Sequence, residues 1–413
     1  MKKRQRLILV LALLLLTCGL VGGYTAWTIG LNYIEPSGPA GSPQILFVIK
    51  DGETTAQIGD DLVAQKIISN ALAFRLWARY AGLDHKLQAG AYKISASMTI
   101  PEIVTVFLTD SPVEHLVTIP EGDRIWQIAS IFAAQPILQK FSSADFIKIA
   151  QTGTYTDTTG KSVALTSEYW FLNHDQQNGA AAKFALEGYL FPDSYLVDQD
   201  STTVDVIREM LNDLGEHLCP GPSGQPDAYL NNEQQCEAHP ALDPATNQSI
   251  FALLKAHYSD ADGKSMADKL DHALTLASIV QRETRTDAAR QGVTSVYYNR
   301  YLVGKGELTP PEGGLSLLQA DPTLQYALGT PAQPWPQLQQ AGNTYNLGAY
   351  DTYQNPGLPP GPISSPGYAA FLQSINPAKT DYFYFITGAD HQNHYATTSQ
   401  QQQENINKYG LSS

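Results

Sequence analysis

Basic residues are scarce in this chain of 413 residues, with 26 Lys and Arg against 40 Asp and Glu for a formal net charge of -14. Nucleic-acid binding works by neutralising phosphates with a basic surface, so that partner class is excluded. Cysteine is scarcer still. Of the three, Cys18 lies in an apolar N-terminal run, leaving Cys219 and Cys236 for the rest of the chain. Two thiols with one nearby histidine, His217 or His239, do not make a four-ligand zinc shell, so no metal is expected.

What is present starts at the N-terminus. Residues 1–6 are basic, and an uncharged, mostly apolar run follows from Leu7 to about Leu31. A membrane-spanning helix needs roughly 20 such residues, and a positive flank stays in the cytoplasm. The run therefore predicts a cytoplasmic tail (1–6) and a single-pass transmembrane helix (7–31), with the remainder outside the cytoplasmic membrane. A cleaved signal peptide would carry a shorter apolar core of about 7–15 residues. A lipoprotein at Cys18 would want a small residue where Thr17 stands. In an oxidising exterior a disulfide between Cys219 and Cys236 is reasonable, closing a polar insert at about 215–248.

A Pro/Gly/Ser linker (32–44) leads to a unit at 45–116 that reads strand (45–50), helix (54–65), helix (70–81), strand (88–94), helix (100–108). Phe74, Leu76, Trp77 and Tyr80 supply the apolar content of the second helix. Phe47-Val48-Ile49-Lys50-Asp51-Gly52 with Gln57-Ile58 and Leu62 recurs as Val117-Thr118-Ile119-Pro120-Glu121-Gly122 with Gln127-Ile128 and Phe132. Each copy puts a strand, a Gly reversal and an amphipathic helix in series. Such units resemble the LysM-type modules that hold the N-acetylglucosamine-containing backbone of wall glycans; a repeat that serves packing alone is the alternative. The rest (117–413) reads as a larger mixed α+β domain.

Its most informative stretch is the helix from Ser265 to Glu283. Leu276, Ile279, Val280 and Glu283 share one face at helical spacing, while Gln281 and Arg282 point elsewhere. Burial and the carbonyls of a helix C-terminus both push a carboxyl pKa up, which makes Glu283 a proton donor; a buried ion pair with Arg290 or Arg300 is the alternative. Asp287 is expected to cap the next helix, with Val293, Val296, Tyr297 and Tyr301 on its apolar side. The Pro/Gly run at 357–367 must be a fixed loop, and loops of that kind shape sites.

The series EGYLFPDSY (187–195), LASIVQRET (276–284), YNR (298–300), LQADPT (318–323), GLPPGPISSPG (357–367) and DYFYF (381–385) resembles the MltG/YceG-like family of endolytic murein transglycosylases, in order and spacing. The resemblance implies an α+β fold with a membrane anchor, a LysM-like module and a catalytic domain. It implies endolytic lysis of (nascent) peptidoglycan without cofactor, and Glu283 as the essential acid/base. Glu187, Tyr189, Asn299, Gln319, Asp321, Thr323 and Tyr353 are its expected substrate-binding residues. Peptidoglycan strands, the cytoplasmic membrane and cell-wall synthases are the expected partners. Gln281 stands where many relatives have a second Glu, Asp351 where Asn is usual, and Thr309–Ser316 and the cysteine insert read as additions. A glycan-binding protein with a structural Glu283 is one rival. A pyridoxal-phosphate lyase is another, but it needs a Schiff-base lysine and a phosphate cradle, and neither is evident among these motifs.

Overall fold

The strand β1 (Gln44–Ile49) turns Phe47 and Ile49 inward, as alternation requires. The computed structural model that shows this describes residues 35–50, 52–83, 87–109, 114–173, 182–222, 225–258, 265–284, 286–311, 315–338 and 347–410. The expected cytoplasmic tail and membrane span lie outside them, and no helix among the described residues is long and apolar enough to cross a membrane. The chain divides into two compact units. One runs to Leu116 and takes Leu196–Asp198, and the other holds Val117–Tyr195 and everything from Gln199 onward.

In the first unit, α1 (Thr55–Ala64) and α2 (Ala71–Ala81) separate β1 from its antiparallel partner β2 (Gly90–Ser95), and α3 (Ile100–Thr109) follows. Gln44 lies opposite Ser95 and Ile49 opposite Gly90. Phe107 centres the core, with its ring 6.0 Å from Phe47, 6.4 Å from Phe74 and 5.1 Å from Tyr92. Not all the apolar content of α2 goes inward. Phe74 and Ala78 are buried, whereas Leu76 and Tyr80 are 63% and 85% exposed, because they stand some 200–240° around the helix from Phe74.

The second unit is entered through β3 (His115–Thr118) and continues with α4 (Ile125–Ala133), α5 (Ser143–Thr152) and the hairpin of β4 (Thr154–Thr156) and β5 (Ser162–Ala164). Then come β6 (Ser194–Val197), whose Leu196 and Val197 belong to the first unit, α6 (Thr203–Leu218), α7 (Glu233–Ala238), α8 (Ile250–His257), α9 (Met266–Glu283), α10 (Asp287–Gly304), α11 (Asp321–Leu328) and α12 (Tyr368–Ile375). The antiparallel pair β7 (Tyr384–Thr387) and β8 (Asn393–Ala396) and the helix α13 (Ser399–Tyr409) end it. The molecule is thus helical with small two-stranded sheets.

Both copies of the repeat turn on a left-handed glycine, Gly52 at φ +74° and Gly122 at φ +83°, a conformation that costs other residues a Cβ clash. In both, the glutamine in the first turn of the helix accepts from the backbone N–H before it. Gln57 bonds the Thr54 N–H at 2.9 Å, and Gln127 bonds that of Arg124 at 3.3 Å. Three local expectations are corrected. Thr286, not Asp287, caps α10, because its hydroxyl accepts from the Ala289 N–H. The helix α6 runs through Gly215 into the supposed insert; that glycine marks a close approach, since a Cβ there would meet Leu230 at 2.1 Å. Finally, α9 is not one-faced, because every residue from Met266 to Val280 is buried where α8, α10, α11 and α12 pack around it.

Candidate active site

The helix α9 is capped by Ser265, whose hydroxyl bonds the Asp268 N–H while the Asp268 carboxylate returns to the Ser265 N–H at 2.8 Å. Its far end is laced to the Pro/Gly loop at 357–367. Ser278 Oγ accepts from the Ile363 N–H at 3.0 Å, and Gln281 Oε1 accepts from the Gly367 N–H at 3.2 Å. The Pro/Gly loop in turn exchanges backbone bonds with the second repeat copy, Gly122 N–H to Ser365 O at 2.7 Å and Ser365 N–H to Asp123 O at 2.8 Å. Motifs far apart in the chain thereby fix the position of the last turn of α9, which carries Glu283.

Glu283 keeps partial exposure, yet its surroundings are dry enough that desolvation raises its pKa to about 7. The Tyr297 hydroxyl donates to Glu283 Oε1 at 2.7 Å. That bond opposes the rise, the charge of Asp321 adds to it, and the charge of Arg300 opposes it. The contact is with this tyrosine rather than with an arginine, the alternative that the sequence left open. Arg300 is buried with its Nε on the Phe383 carbonyl (2.8 Å) and its Nη1 on the Leu318 carbonyl (2.6 Å), so it acts on Glu283 through its field. Arg290 is buried in the same helix.

Beside Glu283 stands the LQADPT loop. The Tyr353 hydroxyl donates to Asp321 Oδ1 at 2.7 Å, and both residues keep partial exposure. Gln319 is exposed at φ +55°, a strained backbone for a non-glycine residue, held by its N–H on the Thr352 carbonyl at 3.1 Å. Asp351 is buried; it accepts from the Tyr353 N–H at 3.1 Å and from Gln354 Nε2 at 2.9 Å.

The other expected substrate contacts are interior. Thr323 is fully buried and bonds the Ala320 carbonyl and Thr352. Tyr189 is buried with its hydroxyl on Asp271 Oδ1 at 2.9 Å. Asn299 donates to the carbonyls of Thr380 and Tyr382, both at 2.9 Å, pinning the DYFYF segment. A cavity of about 950 Å3 opens beside it, lined by His257, Tyr298, Lys379 and Asp381 but not by Glu283 or Asp321. Glu187 is buried, accepts from the Ile125 N–H at 3.0 Å, and has its pKa raised by desolvation to about 7 against the charge of Arg124. Arg124 in turn lies over the rings of Tyr326 (4.1 Å) and Trp126 (4.6 Å). Of the expected site residues, Glu283, Gln319, Asp321 and Tyr353 are the ones that keep exposure to solvent. Tyr297 was read as an apolar-face residue; the signal missed was that a buried tyrosine hydroxyl needs a partner.

Among relatives, the endolytic murein transglycosylase of Streptococcus pneumoniae serotype 2 (strain D39 / NCTC 7466) is 25% identical over 393 residues, 93% of this chain and 62% of that protein. The endolytic murein transglycosylase of Bacillus subtilis (strain 168) is 25% identical over 395 residues, 94% of this chain and 91% of that one. This chain thus spans 62% of the length of the Streptococcus relative. The crystal structure of a yceG-like protein from Listeria monocytogenes matches at 24% identity and a TM-score of 0.48, over 87% of this chain and 98% of that one. The model of the YceG-like family matches residues 47–408, nearly the whole described chain, and the chain therefore belongs to that family.

Proposed function

We propose that this protein is an endolytic peptidoglycan lytic transglycosylase, with Glu283 as its single acid/base. The observation that carries the reading is the Glu283 carboxyl: desolvated to a pKa of about 7, still reachable, and held by one tyrosine. A general acid works best with a pKa near the working pH. Protonated Glu283 gives its proton to the glycosidic oxygen linking N-acetylmuramic acid to the 4-position of N-acetylglucosamine. The bond from that oxygen to the muramic anomeric carbon breaks, the muramic 6-hydroxyl oxygen bonds to that carbon, and its proton returns to Glu283. No water is consumed, and the new end is 1,6-anhydro-muramic acid. The names of the relatives support the substrate class.

The LysM-like reading of the first unit and a membrane anchor at 7–31 complete the proposal. An anchored enzyme would act on strands near where they are made and beside the synthases that make them. The deciding measurement incubates the full chain with isolated sacculi and analyses the ends by mass spectrometry. Anhydro ends from the wild type and none from Glu283→Gln are expected. Reducing ends instead would mean hydrolysis with Asp321 as second carboxylate, and an active Glu283→Gln variant would remove Glu283 from the role.

A further inference from the structure

The Tyr297 hydroxyl lies on a different helix from Glu283 and bonds one oxygen of that carboxyl. Its ring is itself fixed, 2% exposed and edge-on to Phe385 at 5.8 Å and 78°. A buried tyrosine hydroxyl is ordinarily satisfied by a backbone carbonyl or water; here it is aimed at the one carboxyl that the reaction requires. We propose that Tyr297 is a positioning residue for this reaction, holding Glu283 Oε1 so that Oε2 is the atom that delivers the proton and later takes one back. The inference rests on Glu283 being the acid of the reaction proposed above.

The chemistry follows from the donor. An oxygen that already accepts a hydrogen bond from a phenol is the poorer place for the acid proton, so the proton resides on Oε2. The same bond fixes the plane of the carboxyl, which would otherwise rotate about its last torsion. It also favours the ionised form. The groups that face Glu283 act in both directions: Tyr297 and Arg300 from α10 favour ionisation, whereas Asp321 from α11 opposes it, with Tyr353 behind Asp321. Removing the Tyr297 hydroxyl leaves desolvation and Asp321 less opposed, and the carboxyl holds its proton to higher pH.

The test is the pH dependence of anhydro-end formation by the full chain on sacculi. Rate at low substrate falls as Glu283 loses its proton, so the profile has an alkaline limb set by that carboxyl. In Tyr297→Phe the limb is expected to move up by about one pH unit, while the plateau falls roughly tenfold as the carboxyl loses its orientation. Asp321→Asn, which removes a nearby negative charge, is expected to move the limb down. A merely structural tyrosine would lower the plateau without moving the limb. An unmoved limb in Tyr297→Phe, beside a moved one in Asp321→Asn, overturns the proposal, and so does an unchanged plateau. Thermal melting shows whether the variant is folded, and Tyr297→Leu repeats the reading if the Phe variant is not. A wild type without anhydro ends, or an active Glu283→Gln, removes the reaction itself and this inference with it.

Discussion

Tyr189 and Tyr353 each donate to an aspartate, one inside the protein and one at its surface. Tyr189→Phe deprives buried Asp271 of a donor and is expected to cost about 1–2 kcal/mol in denaturant melts, with cleavage within about twofold of wild type. Tyr353→Phe has the opposite profile: stability within about 0.5 kcal/mol and cleavage down roughly tenfold, through loss of the hold on Asp321. Glu283 has a stability consequence of its own. Burial raises its folded pKa from 4.5 to about 7, so its stabilising contribution is full below pH 4.5 and is lost as pH rises through about 7. Glu283→Gln stays neutral throughout and is expected to be more stable than wild type above pH 7, with the two converging at acid pH. The shift bounds the gain at about 3 kcal/mol, and partial exposure brings it to about 2; melting at several pH values reads it. The Glu283 carboxyl was legible in the sequence as a charge in an apolar run. Its tyrosine partner was not, because contact between residues 14 apart on two helices depends on how those helices cross.

The element scale is where the motifs lock. Gly188 sits at φ +82°, and a Cβ there would meet Pro362 Cβ at 2.3 Å, so the EGYLFPDSY turn lies directly on the Pro/Gly loop. Gly188→Ala combines a left-handed backbone with an overpacked contact. It is expected to cost about 3 kcal/mol and to loosen α9 as well, since that loop bonds Ser278 and Gln281; melts and activity together check it. Local chemistry made the elements readable: Thr54 before α1 and Ser265 before α9 both close capping boxes, as their spacing to Gln57 and Asp268 implies. The failures are tertiary. Gly215 reads as a helix end but serves the approach of Leu230. Leu76 and Tyr80 add to the apolar content of α2 and face outward, since apolar character does not say which side of a helix meets a neighbour. Glu187, Tyr189 and Thr323, expected as substrate contacts because they belong to motifs, are buried, so those motifs also build the frame.

For the whole molecule, the Cys219–Cys236 disulfide joins the end of α6 to α7 across 17 residues, with Cα atoms 5.2 Å apart. A loop of that length is worth about 3 kcal/mol through the unfolded chain. Reduction should lower the melting temperature by several degrees and leave cleavage at permissive temperature intact, since Glu283 lies on another helix; a reducing melt paired with an activity assay checks both. The lacing of α9 also bears on the order of synthesis. The frame of Glu283 is finished by residues made after it: Ile363 and Gly367 on its helix, Phe383 on Arg300, Phe385 on Tyr297. A growing chain that already contains Glu283 therefore lacks the surroundings that raise its pKa and aim its oxygens. That frame closes only once residues up to Phe385 have been made, so a product cut short of them would carry the Glu283 carboxylate without its surroundings.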